Sequence, residues 1–529
     1  MYRTHIGNSA SEPNDTMSKI LQVENIAQYN LKEIQKTKVQ QEEFEKILQL
    51  IKNKSIQLGK ESKTFTFEQF TEWLQRLPEP NKTPAGLAMQ NFQMTCIDRD
   101  PLKVQILEDR CYDISLSPVI PCNQYFSGRC WMFAGLNLLR PYFIMKYNLG
   151  PDFELSQAYL FFWHYLEQYE SVMNLFYYEE MSEEEKQMRL STPLSDGGNW
   201  ITFRRLVVKY GIIPKKSYGD SWQTKNSKEM NRRMSEMLAK DLKDVMGFKN
   251  NTAETSVEYN EFLKKCLKRA ERVLTLCMGK PPVGQIVIQC APSTVPQQHP
   301  TSTVQPTLVP LRDGLYASPQ AMFEEADATY EVCKHVQLIN DPRQEEGKAS
   351  STAAPVWYKT QHQQLRATPE LLLNMRTEDI ANIIVKSIQN KIGVWFACNV
   401  NEDFSTKLQG MTHQLFRPDL FLDIDLAMSK EDRMIWGRSR CNHAMLITGV
   451  QFERTVSAGT QINSNKIAAF QVQNSWGATG PGKGFYKMTK DWFDMHCHTF
   501  VIRSELVLNL PERPPDEEIG EYKYYNFFG

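Results

Sequence analysis

The hydrophobic period of this chain changes near residue 393, and that change limits what it can fold into. Upstream, apolar residues recur at helical spacing. "FELSQAYLFFWHYLEQYESVMNLFYY" (153–178), "NWITFRRLVVKYG" (199–211) and "SKEMNRRMSEMLAKDLKDVM" (227–246) each predict a helix. Gly211, with Pro214 shortly after it, supplies a terminator for the second. Downstream, "GVWFACNV" (393–400), "HAMLITGVQF" (443–452), "KIAAFQVQNSWG" (466–477), "GFYKMT" (484–489) and "TFVIRSELVL" (499–508) are short and rich in β-branched and aromatic residues. They predict strands in series. A helical part followed by an antiparallel sheet makes an α+β fold with a cleft between the two.

At 529 residues the chain is long enough for two or three domains. Its 61 basic residues are balanced by 62 acidic ones, which removes the electrostatic case for nucleic acid or an anionic membrane as an obligatory partner. The basic segment "LKKCLKRAERV" (263–273) is then a solvated helix face. Eleven cysteines without a C-x-x-C spacing predict neither a disulfide framework nor a zinc ribbon, and reduced thiols fit a cytosolic or nuclear compartment. The opening "MYRTHIGNSASEPNDTMSK" lacks the apolar core of a signal peptide, and no run approaches the roughly 18 apolar residues of a membrane span. Residues 1–88 stand apart as an N-terminal appendage, polar and disordered at first, then helical, and closing in the linker-like "PEPNKTP" (78–84). The Pro/Ser/Thr-rich stretch 291–310 predicts an exposed loop.

In "NQYFSGRCWMFAGLNLL" (123–139) a cysteine stands where a polar loop turns into an apolar helix. Cys130 begins that helix, with Met132, Phe133, Leu136, Leu139 and Phe143 recurring on one face and Gly128 giving a sharp approach. A thiol at a helix N-terminus feels the positive end of the macrodipole, which favours the thiolate, and a histidine beside it could hold the proton. Nine histidines compete for that role. His164 sits in an aromatic helix and suits the core, while His299 and His362 lie in polar, loop-like stretches. His496 and His498 flank Cys497 and would share a strand face, but the sequence offers no further ligands for a metal there. His443 opens the strand "HAMLITGV", and the next strand, "AAFQVQN", ends at Asn474. If the two pair antiparallel, His443 and Asn474 meet at one edge, where the Asn carbonyl can orient the imidazole. Gln124, six residues before Cys130, could donate to a developing oxyanion together with the Cys130 backbone N–H. Trp476, in "NSWG", could shield the His443–Asn474 hydrogen bond from water.

The order Gln124, Cys130, His443, Asn474, with the phrases "SGRCW" and "NSWG", resembles the papain superfamily of cysteine peptidases. The papain-type pattern is C-G-[SA]-C-[WY], with His and Asn about 130–150 residues downstream. Here Arg129 precedes the cysteine and His443 lies much further along. Those departures point to a branch with large insertions, the bleomycin hydrolases. "FELSQAYLFFW", "DGGNW", "KYGIIPKKSY", "LINDPR", "VWFACNV" and "NHAM" are similar to that family's segments in order, over roughly 89–511. The resemblance implies a papain-like fold, a helical domain plus an antiparallel sheet domain, with large helical insertions at about 165–390. It implies a cytoplasmic cysteine aminopeptidase acting on peptide substrates through a thioester acyl-enzyme, with no metal or organic cofactor, assembled as a homohexamer. By position, Cys130 would be the nucleophile, His443 the general base and then acid, Asn474 the orienter and Gln124 the oxyanion donor. Within the tail 512–529, the resemblance implies that residues 524–529, "YYNFFG", would lie in the cleft as a plug, the alternative being a frayed terminus. Tyr125 and Phe126 stand where the family has small or basic residues, and Gln473 where a Glu is usual. A non-catalytic relative serving as a scaffold would need none of the four site residues.

Overall fold

The upstream helices form where apolar periodicity and polar caps agree. In the computed structural model they are α1 (Cys130–Lys146), α2 (Gln157–Tyr178), α3 (Trp200–Tyr210), α4 (Lys228–Asn250) and α5 (Ser256–Met278). The Ser156 hydroxyl accepts the Tyr159 N–H at 3.1 Å at the start of α2, and Asn199 accepts the Thr202 N–H at 3.0 Å at the start of α3. Each such cap contributes about 1 kcal/mol. Gly211 ends α3 at φ +75°, and a Cβ there would stand 2.1 Å from the Pro319 carbonyl carbon, so only glycine fits. The basic segment 263–273 lies within α5, where Leu263, Cys266 and Ala270 are buried while Lys264, Lys265 and Lys268 face solvent.

The structure describes residues 106–250, 256–289, 313–343, 355–360, 371–455, 461–507, 514–515 and 519–522. The appendage 1–88, the 291–310 stretch and the tail segment 524–529 lie outside the described residues. The described residues up to 415 and from 427 onward form one compact unit, and 416–426, carrying the short helix Pro418–Leu422, belong to another. Every described cysteine is a free thiol. No helix among the described residues is long and apolar enough to cross a membrane.

One sheet has twelve strands. In chain order they are β1 (Ile114–Ser115), β2 (His335–Ile339), β3 (Val356–Thr360), β4 (Leu371–Asn374), β5 (Val394–Cys398) and β6 (Phe404–Ser405). There follow β7 (Gly410–Met411), β8 (His443–Thr455), β9 (Gln461–Gln473), β10 (Phe485–Thr489), β11 (Cys497–Arg503) and β12 (Gly520–Tyr522). Side by side the order is β12-β3-β4-β2-β11-β5-β8-β9-β10-β7-β6, with β1 also against β8. The five strands expected downstream of residue 393 are all present, but they do not lie in series. A short helix, α7 (Lys490–His496), carries the chain from β10 across the sheet, and β11 inserts between β5 and β2. Most pairs are antiparallel; β2 with β4, β3 with β12 and β7 with β10 are parallel. The region taken as helical insertion also contributes β2, β3 and β4. At four or five residues each, "HVQLI", "VWYKT" and "LLLN" are too short to show a period.

The central strands are apolar on both faces because both faces are covered. Trp395, Ala397, Ala444, Leu446 and Val501 pack into a core shared with α1, α2 and α3. Their alternating neighbours Val394, Phe396, Met445 and Ile447 pack into a second core with α7 and with α6 (Thr377–Gln389). The sheet therefore lies between two layers of helices. Helix α1 is correspondingly buried around its circumference, Trp131, Ala134 and Leu138 as well as the predicted face of Met132, Phe133 and Leu136.

Burial leaves five histidines with depressed basicity. It pushes His164, His335 and His443 down to about 4, and holds His496 and His498 below the ordinary imidazole value. In the unfolded chain these rings titrate near 6.5. Between the two values the unfolded state binds more protons, so their contribution to stability is complete above pH 6.5 and is lost as pH falls toward 4. A series of thermal melts should show a Tm that is level near neutrality and drops by about 10 °C or more from pH 6.5 to pH 4. A level Tm through that window would show that the rings are not held neutral.

Candidate active site

The start of α1 is held by groups far away in the chain. The Gly128 N–H donates to Asp196 Oδ2 at 2.9 Å, the Tyr165 hydroxyl donates to Oδ1 at 2.6 Å, and the Ser227 hydroxyl also donates to this carboxylate. The Asp196 carbonyl accepts the Trp131 indole N–H at 2.9 Å. Asp196 opens the "DGGNW" segment, and its neighbours have physical roles too. A Cβ on Gly198 would stand 2.6 Å from the Trp131 ring, and Asn199 caps α3. Arg129 is fully buried, its Nη1 donating to Asp220 at 2.9 Å and its Nε to the Ser127 hydroxyl at 2.9 Å. Lys215 stands 3.1 Å from the same Asp220. Burial would raise the Asp220 carboxyl, but the charges of Arg129 and Lys215 hold it below its ordinary value. Removing one partner of such a buried pair costs about 3–5 kcal/mol. Sequence reasoning assigned no role to Asp196, Asp220 or Lys215; Asp196 and Lys215 fall in "DGGNW" and "KYGIIPKKSY", segments noted for resemblance alone, and Asp220 in neither.

The other half of the site comes from the ends of two strands. Leu446 of β8 faces Gln473 of β9, an antiparallel register that brings His443 and Asn474 to one end of the pair. His443 Nε2 stands 2.9 Å from Asn474 Oδ1, which also accepts the Ser475 N–H at 2.7 Å. Because the carbonyl oxygen can only accept, Nε2 carries the hydrogen and Nδ1 keeps its lone pair. Cys130 Sγ accepts the Ala444 N–H at 3.4 Å, one residue from the imidazole. The Trp476 ring lies 5.0 Å from the His443 ring at a tilt of 36°, and Phe404 and Tyr486 back it edge-on at 5.4 and 6.2 Å. The indole covers the imidazole, as the position of "NSWG" suggested.

Gln124 joins from a third segment. Its backbone N–H donates to the Ser475 carbonyl at 2.8 Å, and the Gly477 N–H donates to the Cys122 carbonyl at 2.9 Å, which ties 122–124 to the stretch carrying Asn474. The Gln124 Oε1 accepts the Ser475 hydroxyl at 2.5 Å, while Nε2 spends one hydrogen on the Ser127 carbonyl at 2.6 Å. A primary amide has two, so one N–H is left for a ligand. No side chain caps the first turn of α1. His164 lies in the core, 3.1 Å from the Gly197 carbonyl, while His299 and His362 fall outside the described residues.

The ionisation of the pair differs from the expectation drawn from the helix dipole. Burial pushes the Cys130 thiol up to about 11, against the opposing pull of the Ala444, Trp131 and Cys130 N–H groups. Burial likewise pushes His443 down to about 4, although the Asn474 bond acts the other way. Desolvation outweighs the macrodipole, and at rest both the thiol and the imidazole are neutral. Formed together, thiolate and imidazolium would attract each other across a site poor in water, which offsets part of both burial costs.

Residues 64–289 and 312–519 match the sequence profile of the peptidase C1-like family. The chain is 28% identical over 432 residues to aminopeptidase C of Lactobacillus helveticus, spanning 80% of this chain and 85% of that protein. Bleomycin hydrolase of Gallus gallus is 29% identical over 441 residues, 80% of this chain and 90% of that one. The crystal structure of PepW from Lactobacillus rhamnosis shares the fold, with a TM-score of 0.67 and 23% identity over 84% of this chain and 93% of that one. The two matched segments span most of the sequence and include Gln124, Cys130, His443 and Asn474, and the chain belongs to the peptidase C1-like family.

Proposed function

We propose that this protein is a cysteine aminopeptidase that releases N-terminal residues from peptides through a thioester on Cys130. The observation that carries the reading is the 2.9 Å His443–Asn474 bond under Trp476, with Cys130 Sγ on the adjoining Ala444 N–H. Relatives named aminopeptidase C and bleomycin hydrolase support the same activity.

As Sγ attacks the carbonyl carbon of the first peptide bond, its proton passes to His443 Nδ1 and a C–S bond forms. The carbonyl oxygen becomes an oxyanion and takes hydrogen bonds from the free Gln124 N–H and the Cys130 backbone N–H. When the tetrahedral adduct collapses, the C–N bond breaks and the imidazolium returns its proton to the departing amine. The first residue remains as a thioester. Water then attacks that thioester with His443 as base, releasing the free amino acid and restoring the thiol. Asn474 keeps Nε2 engaged throughout, so Nδ1 faces the sulfur in both half-reactions. A scaffold would need none of these groups, whereas here each is held in place by others.

Cys130→Ala should lower turnover of a free peptide by at least about 10³-fold while circular dichroism and Tm stay near wild type. Retained activity would remove Cys130 from the reaction. The N-acetylated form of that peptide should be cleaved far more slowly by the wild type; equal rates would mean an endopeptidase. Asn474→Ala should reduce kcat by about 10- to 10³-fold with little change in KM. An unchanged kcat would mean that the orienting bond does not matter. Protonating His443 removes the acceptor for the thiol proton, so kcat/KM should be level from neutrality down to pH 6 and fall as pH approaches about 4. An acidic limb centred above pH 6.5 would contradict a buried, neutral imidazole.

A further inference from the structure

Away from Cys130, the fold assembles a donor set that local sequence does not contain. Asp403 and His413 flank the small β6–β7 hairpin, and His496 is the last residue of α7, where the chain enters β11. His413 Nδ1 stands 3.5 Å from Asp403 Oδ2 and His496 Nε2 stands 3.8 Å from the same oxygen. One donor atom from each residue lies within 4.8 Å of the others. Ligands about 2.1 Å from a tetrahedral centre stand about 3.4 Å apart, so a small contraction would place all three on one cation.

The second observation concerns satisfaction of polar groups. His496 is 1% exposed, and neither of its ring nitrogens has a hydrogen-bond partner; His413 Nδ1 is likewise without one. A separation of 3.8 Å from a carboxylate is too long for a hydrogen bond. Leaving a buried imidazole unsatisfied is costly, and native structures rarely do so without a reason. Asp403 Oδ2 also accepts the Gln414 N–H at 2.8 Å, the kind of outer contact that orients a ligating carboxylate. The nearby Arg433 is taken up by Glu402 at 2.9 Å, which offsets its charge.

We propose that Asp403, His413 and His496 form a binding site for a divalent transition-metal ion of the zinc class, clipping the β6–β7 hairpin to the α7–β11 junction. Two imidazoles and one carboxylate suit such an ion rather than calcium or magnesium, and three protein ligands leave one position for water. The ion takes no part in the thiol chemistry. It steadies the wall of the active site: Phe404 follows Asp403 directly and packs edge-on against Trp476, which covers His443.

Zinc also binds active-site thiols, so the test uses the full chain carrying Cys130→Ala, freed of metal by dialysis against a chelator. Titration with Zn2+ by calorimetry should give one tight equivalent and raise Tm. Titration with Co2+ should give the visible absorption of a four-coordinate nitrogen and oxygen site without thiolate-to-cobalt charge transfer. Adding His413→Ala, a change at a partly exposed ring, should weaken Kd by about tenfold or more while circular dichroism is unchanged. Asp403→Asn should do the same. Absence of stoichiometric binding overturns the proposal, as does a Kd untouched by His413→Ala or a cobalt spectrum dominated by thiolate.

Discussion

A helix that is apolar around its whole circumference has to be enclosed, and enclosing α1 sets the rest of this molecule. Trp131, Met132, Phe133, Leu136 and Leu139 are all buried, each contributing about 1.5–3 kcal/mol on removal from water. One side of α1 is covered by β5 and β8, through Trp395, Ala444 and Leu446, and the other by α2 and α3. The Trp395 indole donates to the Trp131 carbonyl at 3.0 Å and fixes the helix against the sheet. Once α1 is wedged in this way, its N-terminal end is the part that meets the edge of β8, so the Cys130 thiol reaches the Ala444 N–H, next in the chain to His443, because of packing in the core.

Water is kept from charge throughout this region. The Arg129 guanidinium lies between the Phe133 and Phe161 rings at 5.2 Å from each, paired with Asp220. It can be buried there because Asp220 pairs with it, the Ser127 hydroxyl accepts its Nε–H, and Lys215 adds a second positive charge 3.1 Å from the same carboxylate. The same exclusion keeps the resting Cys130 and His443 uncharged. In the proposed reaction, such a buried site would make each hydrogen bond aimed at the developing oxyanion worth more than in water, which would offset the difficulty of ionising the thiol.

The walls of the site come from segments that never meet in sequence. Residues 122–124 are tied to 475–477, Phe404 and Tyr486 back Trp476, and the hairpin carrying Phe404 is flanked by Asp403 and His413. Each segment is short and would be ill-determined alone. Their mutual contacts give the imidazole one orientation.

Much of the site was legible in one dimension. A polar loop entering an apolar helix marked Cys130, two consecutive strands marked the edge where His443 meets Asn474, and six residues of spacing marked Gln124. These are local patterns, set by periodicity and by the fixed geometry of helices and strands. The partners of Gly128 and Arg129 were not legible, because Asp196 and Asp220 lie 68 and 91 residues away and many acidic residues could have served. Nor were β2, β3 and β4, too short for a period, or the meeting of His496 with Asp403 and His413. Which residue types stand at helix starts and strand ends follows from neighbours along the chain. Which distant groups return to them, and whether the thiol and imidazole carry charge, follows only from the fold in three dimensions. Ionisation depends on how much water is removed, and that is settled by what packs above a residue rather than by what precedes it.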